Sequence, residues 1–409
     1  MMFVAIERLR RALPTAEIRV INADSKRIGD RCGPLTIIHP LARRTFIQGL
    51  IPHRLRRLLP SSAYHASLRL EHRSGAAWPA FFSAVCRLRG RNTRDEFDPR
   101  RYLGLMLSSD ALVYTGTGTI NDAFPEQSLG VMHEVALANS RGIPVYMFGQ
   151  GVGPMEAPTL QMLAKRVLPM VRSICVREKA MSPGLLKSLG VAPERIKVTG
   201  DDAIEMAHLR RPEQLGESIG VNLRLASYAQ TGQSLVESIR PRLHSVARRL
   251  NASLAAVPIS LHQAESDLDT ATQLMRGYSP GPLPDASAFT APEDVIRVVG
   301  KCRVVLAGSY HAAVFALSQG VPVVAISQSP YYDSKFRGLI DMFGGFCPLF
   351  TAGTNFDPDG VGAAIEAAWN AAPAWRPLLL DAASRQVDLG NAAFDQFAAE
   401  LTSGNGSRS

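Results

Sequence analysis

The sequence predicts an α/β protein of two domains with parallel sheets, and three observations carry that prediction. Short apolar runs with strand character alternate with helical patterns along most of the chain. Successive runs end in glycine-rich loops, as in "VYTGTGTIND" and "MFGQGVGP", where bare backbone can approach a ligand. The pattern breaks once, in polar "HLRRPEQLGES" (208–218), and then restarts, so that 409 residues divide into two halves each able to bury a core.

The elements follow in order. The opening "MMFVAIERLRRALP" reads as an amphipathic helix rather than as a signal peptide. Strand "ALVYTGTGTINDAF" (111–124) leads into helix "SLGVMHEVALANS", stopped at Arg141-Gly142, and strand "IPVYMFGQGVGP" (143–154) follows. A helix near 158–171, strand "RSICVREKAM", a helix over 180–189 and strand "IKVTGDDA" (196–203) complete the first half. The second half runs from strand "IGVNLRL" (219–225) through helix 233–250 and strand "SLAAVPISL" (253–261) to the connection 277–294. Helix 292–300, strand 303–308, helix 310–319 and strand "VPVVAIS" come next. The expected domains are therefore 1–210, with a basic insertion over 41–101, and 218–358. A helical segment at 359–401 and a disordered tail at 402–409 close the chain.

Composition excludes several classes. Hydrophobic residues at 46% and charged residues at 20% mark a globular chain, not a fibrous or disordered one. The five cysteines are far apart and lack metal-ligand spacing, so a zinc or disulfide framework is not expected. A cytoplasmic location is expected, since no uncharged apolar window of membrane length is present. The net charge of +9 comes almost wholly from arginine, as lysine occurs at only seven positions. Arginine concentrates in the insertion, which reads either as a solvated helical surface or as a patch resting on anionic lipid. Nucleic acid is not an expected partner, because aromatic residues are not interleaved with the arginines.

The candidate chemistry gathers at strand ends of the second half. In "GSYHAAVFALSQGVPVVAIS" (308–327), His311 stands at the first turn of a helix, where it either packs as a cap or exchanges a proton near neutral pH. Lys335 in "PYYDSKFRG" lies past the next strand. Asn222 and Arg224 end "GVNLR", and His262 ends "VPISLH". Four strand ends presenting such groups suit a small anion carrying several charges. The glycine loops of the first half match neither a P-loop nor a dinucleotide fingerprint, and are expected to wall an interdomain site. Asp201-Asp202 reads as a structural cap or as a metal ligand. Acid–base chemistry without metal or cofactor is the expectation.

The ordered motifs "GTGTINDAF", "GQGVGPM", "ICVREKAMSPGLLKSLGV", "VTGDDA", "GVNLR", "VPISLHQAESD", "GSYHAAVFALSQGVPVVAIS" and "YYDSKFRGLIDMFG" resemble the polysaccharide pyruvyl transferase family over roughly residues 105 to 350. The resemblance implies two Rossmann-like domains facing across a cleft (GT-B-like), and transfer of a pyruvyl group from phosphoenolpyruvate to sugar hydroxyls. The product is a ketal on a cell-surface polysaccharide or its lipid-linked precursor. It also implies His311 as general acid/base, Arg224, Ser309 and Lys335 as donor-binding residues, and Asn121, Asp122 and Gln150 on the acceptor side. The family commonly has an arginine two positions before the histidine, where this chain has Ser309. It usually opens with a strand and an Asn-x-Gly-Asp loop before its first helix, whereas Met1 falls inside that helix, so a first domain lacking its first strand is expected. Two alternatives stand beside this reading: a GT-B-like glycosyltransferase using a nucleotide sugar, for which Asp333 in a loop is the available ribose carboxylate, and a non-catalytic glycan-binding member.

Overall fold

The structure is a computed structural model, and it describes residues 1–22, 25–38, 99–116, 118–224, 230–261, 266–278 and 284–405. Contacts divide the chain into two compact units. The first holds Met1–Val176, Ser182–Lys197 and Asn391–Ser409, and the second holds Arg177–Met181 and Val198–Gly390.

In the first unit, α1 (Met2–Ala12) precedes β1 (Arg19–Ile21), α2 (Ser25–Cys32) and β2 (Thr36–Ile38). The β1 and β2 strands form a separate parallel pair whose register joins Val20 to Ile37. The sequence patterns had not placed either strand. After α3 (Pro99–Leu107) come β3 (Leu112–Tyr114), α4 (Pro125–Ser140), β4 (Val145–Gln150), α5 (Pro158–Val167), β5 (Ser173–Val176), α6 (Ser182–Ser188) and β6 (Ile196–Val198). The sheet order is β3-β4-β5-β6, so each strand lies beside its predecessor. Strands β4 and β5 are buried along their whole length, which is why they read as unbroken apolar runs rather than as alternating ones.

The second unit contains α7 (Ala203–His208), β7 (Ser218–Asn222), α8 (Gln230–Arg249), β8 (Ser253–Ala256), α9 (Asp267–Met275), α10 (Pro292–Val299), β9 (Cys302–Ala307), α11 (Tyr310–Ser318), β10 (Val323–Ser327), α12 (Pro330–Met342) and β11 (Leu349–Thr351). Its sheet is parallel in the order β11-β10-β9-β7-β8. Strand β7 therefore has its successor on one side and β9 on the other, so the order reverses at its carboxyl end. Ligands bind at such switch points in open α/β sheets. The 48-residue helix α13 (Pro358–Asn405) begins in this unit and ends in the first, where Phe394 stacks on Phe148 at 3.9 Å.

Several expectations change. The boundary falls at Lys197/Val198 rather than at 210–218, and Arg177–Met181 belongs to the second unit because Arg177 pairs with Asp201 there. The helical segment expected over 359–401 runs on through 402–405, where Thr402 and Ser403 hydroxyls donate back to the Ala398 and Ala399 carbonyls. Residues 406–409 lie outside the described residues, as does the basic insertion apart from its last three positions, which begin α3. Asp333, expected in a loop, lies in the first turn of α12, which Pro330 and the Ser329 cap initiate. Among the described residues, no helix is long and apolar enough to cross a membrane. Cys32, Cys175, Cys302 and Cys347 are buried free thiols.

Candidate active site

The candidate site belongs wholly to the second unit. Arg177 follows the end of β5, Asp201 follows β6, Tyr310 and His311 open α11, and Lys335 sits on the second turn of α12. Gly200 turns the chain into Asp201 with φ +84°, a left-handed conformation that a Cβ would strain. Gly308 lets the end of β9 press on the backbone of Leu223 and Arg224, where an added Cβ would stand 2.9 to 3.0 Å from its neighbours.

One cluster forms around the Tyr310 ring. The Arg177 guanidinium lies over it at 4.6 Å, the Lys335 ammonium at 5.9 Å, and the His311 ring meets it edge-on at 5.3 Å. Lys335 Nζ is also 4.0 Å from the centroid of Tyr331, one helical turn earlier on the same face. Arg177 Nη1 donates to Asp201 Oδ2 at 3.2 Å, and Asp201 Oδ1 accepts from the Ala203 amide. His311 Nε2 faces Asp201 Oδ2 at 3.9 Å and has no hydrogen-bond partner among the described residues. That nitrogen is buried while the side chain as a whole is 29% exposed.

Burial sets the electrostatics. It pushes the His311 pKa down to about 4, opposed by Asp201 and aided by Arg177 and Lys335. Burial likewise pushes Lys335 down to about 7, with Arg177 and Arg224 adding repulsion. Asp201 stays below the usual carboxylate range: burial opposes this, but His311, Arg177 and the Ala203 amide outweigh it. Lys335 makes no ion pair among the described residues and stands beside Arg177 and Arg224, each of which is paired with a carboxylate of its own.

A second group meets at Asp267, whose carboxylate is fully buried. Arg224 forks onto it through Nε at 2.9 Å and Nη2 at 3.1 Å, and Oδ2 also accepts from Asn222 Nδ2, Ser309 Oγ and the amides of Ile259 and Ser260. Asn222 Oδ1 accepts from the Gly308 and Ser309 amides, which binds the ends of β7 and β9 at the switch point. Ser309 is thus turned inward, with its hydroxyl on Asp267, and is only 1% exposed. Arg224 lies near enough to Lys335 to repel it, and the Tyr332 ring, on α12 as well, is 5.6 Å from Lys335 Nζ.

Asn121, Asp122 and Gln150 lie in the first unit, where they shape two loops. Asn121 is buried; Nδ2 donates to the Gly118 carbonyl and Oδ1 accepts from the amides of Ala123 and Phe124. Asp122 accepts from the amides of Glu156 and Ala157, and Gln150 donates to the Phe148 carbonyl. His262 lies outside the described residues. Asp333 is engaged at both oxygens, by Arg337 at 2.7 Å and Thr351 at 3.1 Å. Sequence reasoning did not assign Arg177, Tyr310 or Asp267 to the site. The signal for Asp267 was an acidic residue at the start of a helix, one of two in its first turn.

The two α/β units with parallel sheets have a GT-B-like fold, a fold also found in solved glycosyltransferases and epimerases. Within it, the chain belongs to the polysaccharide pyruvyl transferase family, whose family model matches residues 1–330. No curated protein sequence matches the chain. Among solved structures, a Listeria monocytogenes protein described as a UDP-N-acetylglucosamine 2-epimerase is similar with TM-score 0.57 and 11% identity, over 99% of this chain and 94% of that one. The UDP-GlcNAc 2-epimerase of Neisseria meningitidis gives 0.52 and 12%, over 98% and 95%. The glycotransferase of kitacinnamycin gives 0.52 and 12%, over 97% and 94%. At such identities the likeness is one of fold.

Proposed function

We propose that the chain transfers a pyruvyl group from phosphoenolpyruvate to hydroxyls of a cell-surface polysaccharide or its lipid-linked precursor, with His311 as general acid/base. The observation that supports this reading is the convergence of Arg177, Arg224 and Lys335, of which Lys335 makes no ion pair among the described residues. A compact donor bearing both a carboxylate and a phosphate would complete it. Arg224 and Lys335 face the donor, and Ser309 serves by fixing the carboxylate on which Arg224 rests. Asn121, Asp122 and Gln150 act on the acceptor side by shaping backbone loops.

In this reading a sugar hydroxyl bonds to C2 of the donor while C3 takes a proton from His311. A second hydroxyl then replaces phosphate at C2, which leaves with the electrons of its C–O bond and gives the cyclic ketal. One hydroxyl proton returns to His311 and the other departs with phosphate. His311 is neutral in the free site at neutral pH, and the donor's negative charge opposes the burial that keeps it so. The reaction belongs in the cytoplasm on this reading, with the arginine-rich stretch 41–101 resting on the membrane face that holds a lipid-linked acceptor.

The test is to incubate purified protein with phosphoenolpyruvate and glycan acceptors, following phosphate release and the mass gain of one pyruvyl ketal. His311→Ala should lower the rate by about 10²- to 10⁴-fold with the fold intact. Turnover of a nucleotide sugar in place of phosphoenolpyruvate, or an unchanged rate in H311A, would overturn the reading.

A further inference from the structure

We propose that Asp201 is a positioning residue that holds His311 with its Nε2–H turned inward and leaves Nδ1 as the atom that exchanges the proton. The proposal rests on the reading of His311 as the acid/base group.

The hydrogen-bond partners of the Asp201 carboxylate are donors: the Ala203 amide takes Oδ1 at 2.9 Å and Arg177 Nη1 takes Oδ2 at 3.2 Å. An arginine and a backbone amide leave the carboxylate no proton of its own to offer. A carboxylate has about four lone-pair sites, so these two donors leave acceptor capacity on Oδ2, which lies 3.9 Å from His311 Nε2. A ring nitrogen buried against an ionised acceptor is stable only as N–H, and in a neutral imidazole that makes Nδ1 the basic atom.

The anchoring also fixes where the carboxylate stands. Its two donors come from two places, the end of β5 and the start of α7, so Asp201 does not follow a rotation of the ring. Gly200 supports it from behind, packed against Gln386. The groups facing His311 from the elements of its own unit are Asp201, Arg177, Tyr310 and Lys335, with Phe315 along its own helix. Among them only Asp201 is an acceptor that favours the imidazolium. When His311 gains its proton at Nδ1, the inward N–H is already pointed at the one charge that stabilises the ion.

The decisive measurement is nitrogen NMR of the full chain carrying ring-15N histidine, with His311 assigned by comparison with H311Q. The expected spectrum at neutral pH shows His311 protonated at Nε2 and unprotonated at Nδ1. In Asp201→Asn, His311 should titrate at lower pH than in the wild type, and kcat should fall while KM for phosphoenolpyruvate holds. That loss should not exceed the roughly 10²- to 10⁴-fold worth of an acid–base group. A wild-type His311 protonated at Nδ1 overturns the proposal, as does an Asp201→Asn variant whose His311 titration and pH–rate profile match the wild type. A purely structural Asp201 would lower the folded fraction and move neither readout. If Asp201→Asn does not fold, the wild-type tautomer alone decides. Wild-type protein that turns over no phosphoenolpyruvate sinks the donor assignment and leaves the tautomer result standing by itself.

Discussion

Arg177 Nη1 lies 3.2 Å from Asp201 Oδ2, with the two side chains only 4% and 1% exposed. Breaking a buried pair from one side strands the other charge, at a typical cost of about 3 to 5 kcal/mol. Arg177→Met should therefore destabilise the second unit by about that amount, read from urea unfolding. The double variant Arg177→Met/Asp201→Asn should recover part of the loss, because it removes the stranded charge as well. A loss in the double variant equal to the sum of the losses in Arg177→Met and Asp201→Asn would mean that the pair is not coupled.

Lys335 makes stability depend on pH in an unusual direction. Burial and the neighbouring arginines lower its folded pKa to about 7, against about 10.5 for a free lysine. Between these values the unfolded chain binds more protons than the folded one, so this group's contribution to stability rises as pH rises through that window. Lys335→Met should flatten the slope between pH 7 and 10 in denaturant titrations. An identical slope in the variant would show that Lys335 keeps an ordinary pKa.

Arg224 and Ser309 depend on the same buried carboxylate. Ser309→Ala removes one of its donors and should cost about 1 kcal/mol of stability. Asp267→Asn weakens the Arg224 fork and should raise KM for the donor more than it lowers kcat, since Arg224 binds rather than transfers protons. A fall in kcat with unchanged KM would place Arg224 away from the donor.

How much of this was legible in the sequence depends on sequence distance. Strands β9 and β10 and the helix after each were readable, because "CRVVLA" and "VVAIS" are apolar runs punctuated by glycine, serine and proline. That His311 and Lys335 share a sheet edge followed from both lying just past parallel strands. The Asp201 to His311 approach spans 110 positions and different elements, and nothing local in "VTGDDA" shows which carboxylate faces the imidazole. The inward turn of Ser309 was equally hidden, because a hydroxyl before a helix reads as a cap whichever way it points, and here Asp267 takes it. Asp333 was misplaced because "SPYYD" carries turn-forming residues that in fact cap and start α12. The division at Lys197/Val198 could not be read from composition, since the polar break ten residues later lies inside the second unit.

Donor binding should take up protons. In the free site Lys335 titrates near 7 because burial and repulsion from Arg177 and Arg224 outweigh the attraction of Asp201. A bound carboxylate and phosphate reverse the local field, so the lysine regains its charge when the donor arrives. At pH 8, where most of the free protein carries a neutral Lys335, the uptake approaches one proton per donor bound. Calorimetric titration with phosphoenolpyruvate in two buffers of different ionisation enthalpy measures it directly, as a difference in apparent binding heat. Lys335→Met should still bind, more weakly, and should lose the buffer dependence. Heat that is independent of buffer in the wild type at pH 8 would mean that the donor does not sit against Lys335, and the charge argument for phosphoenolpyruvate would fail with it.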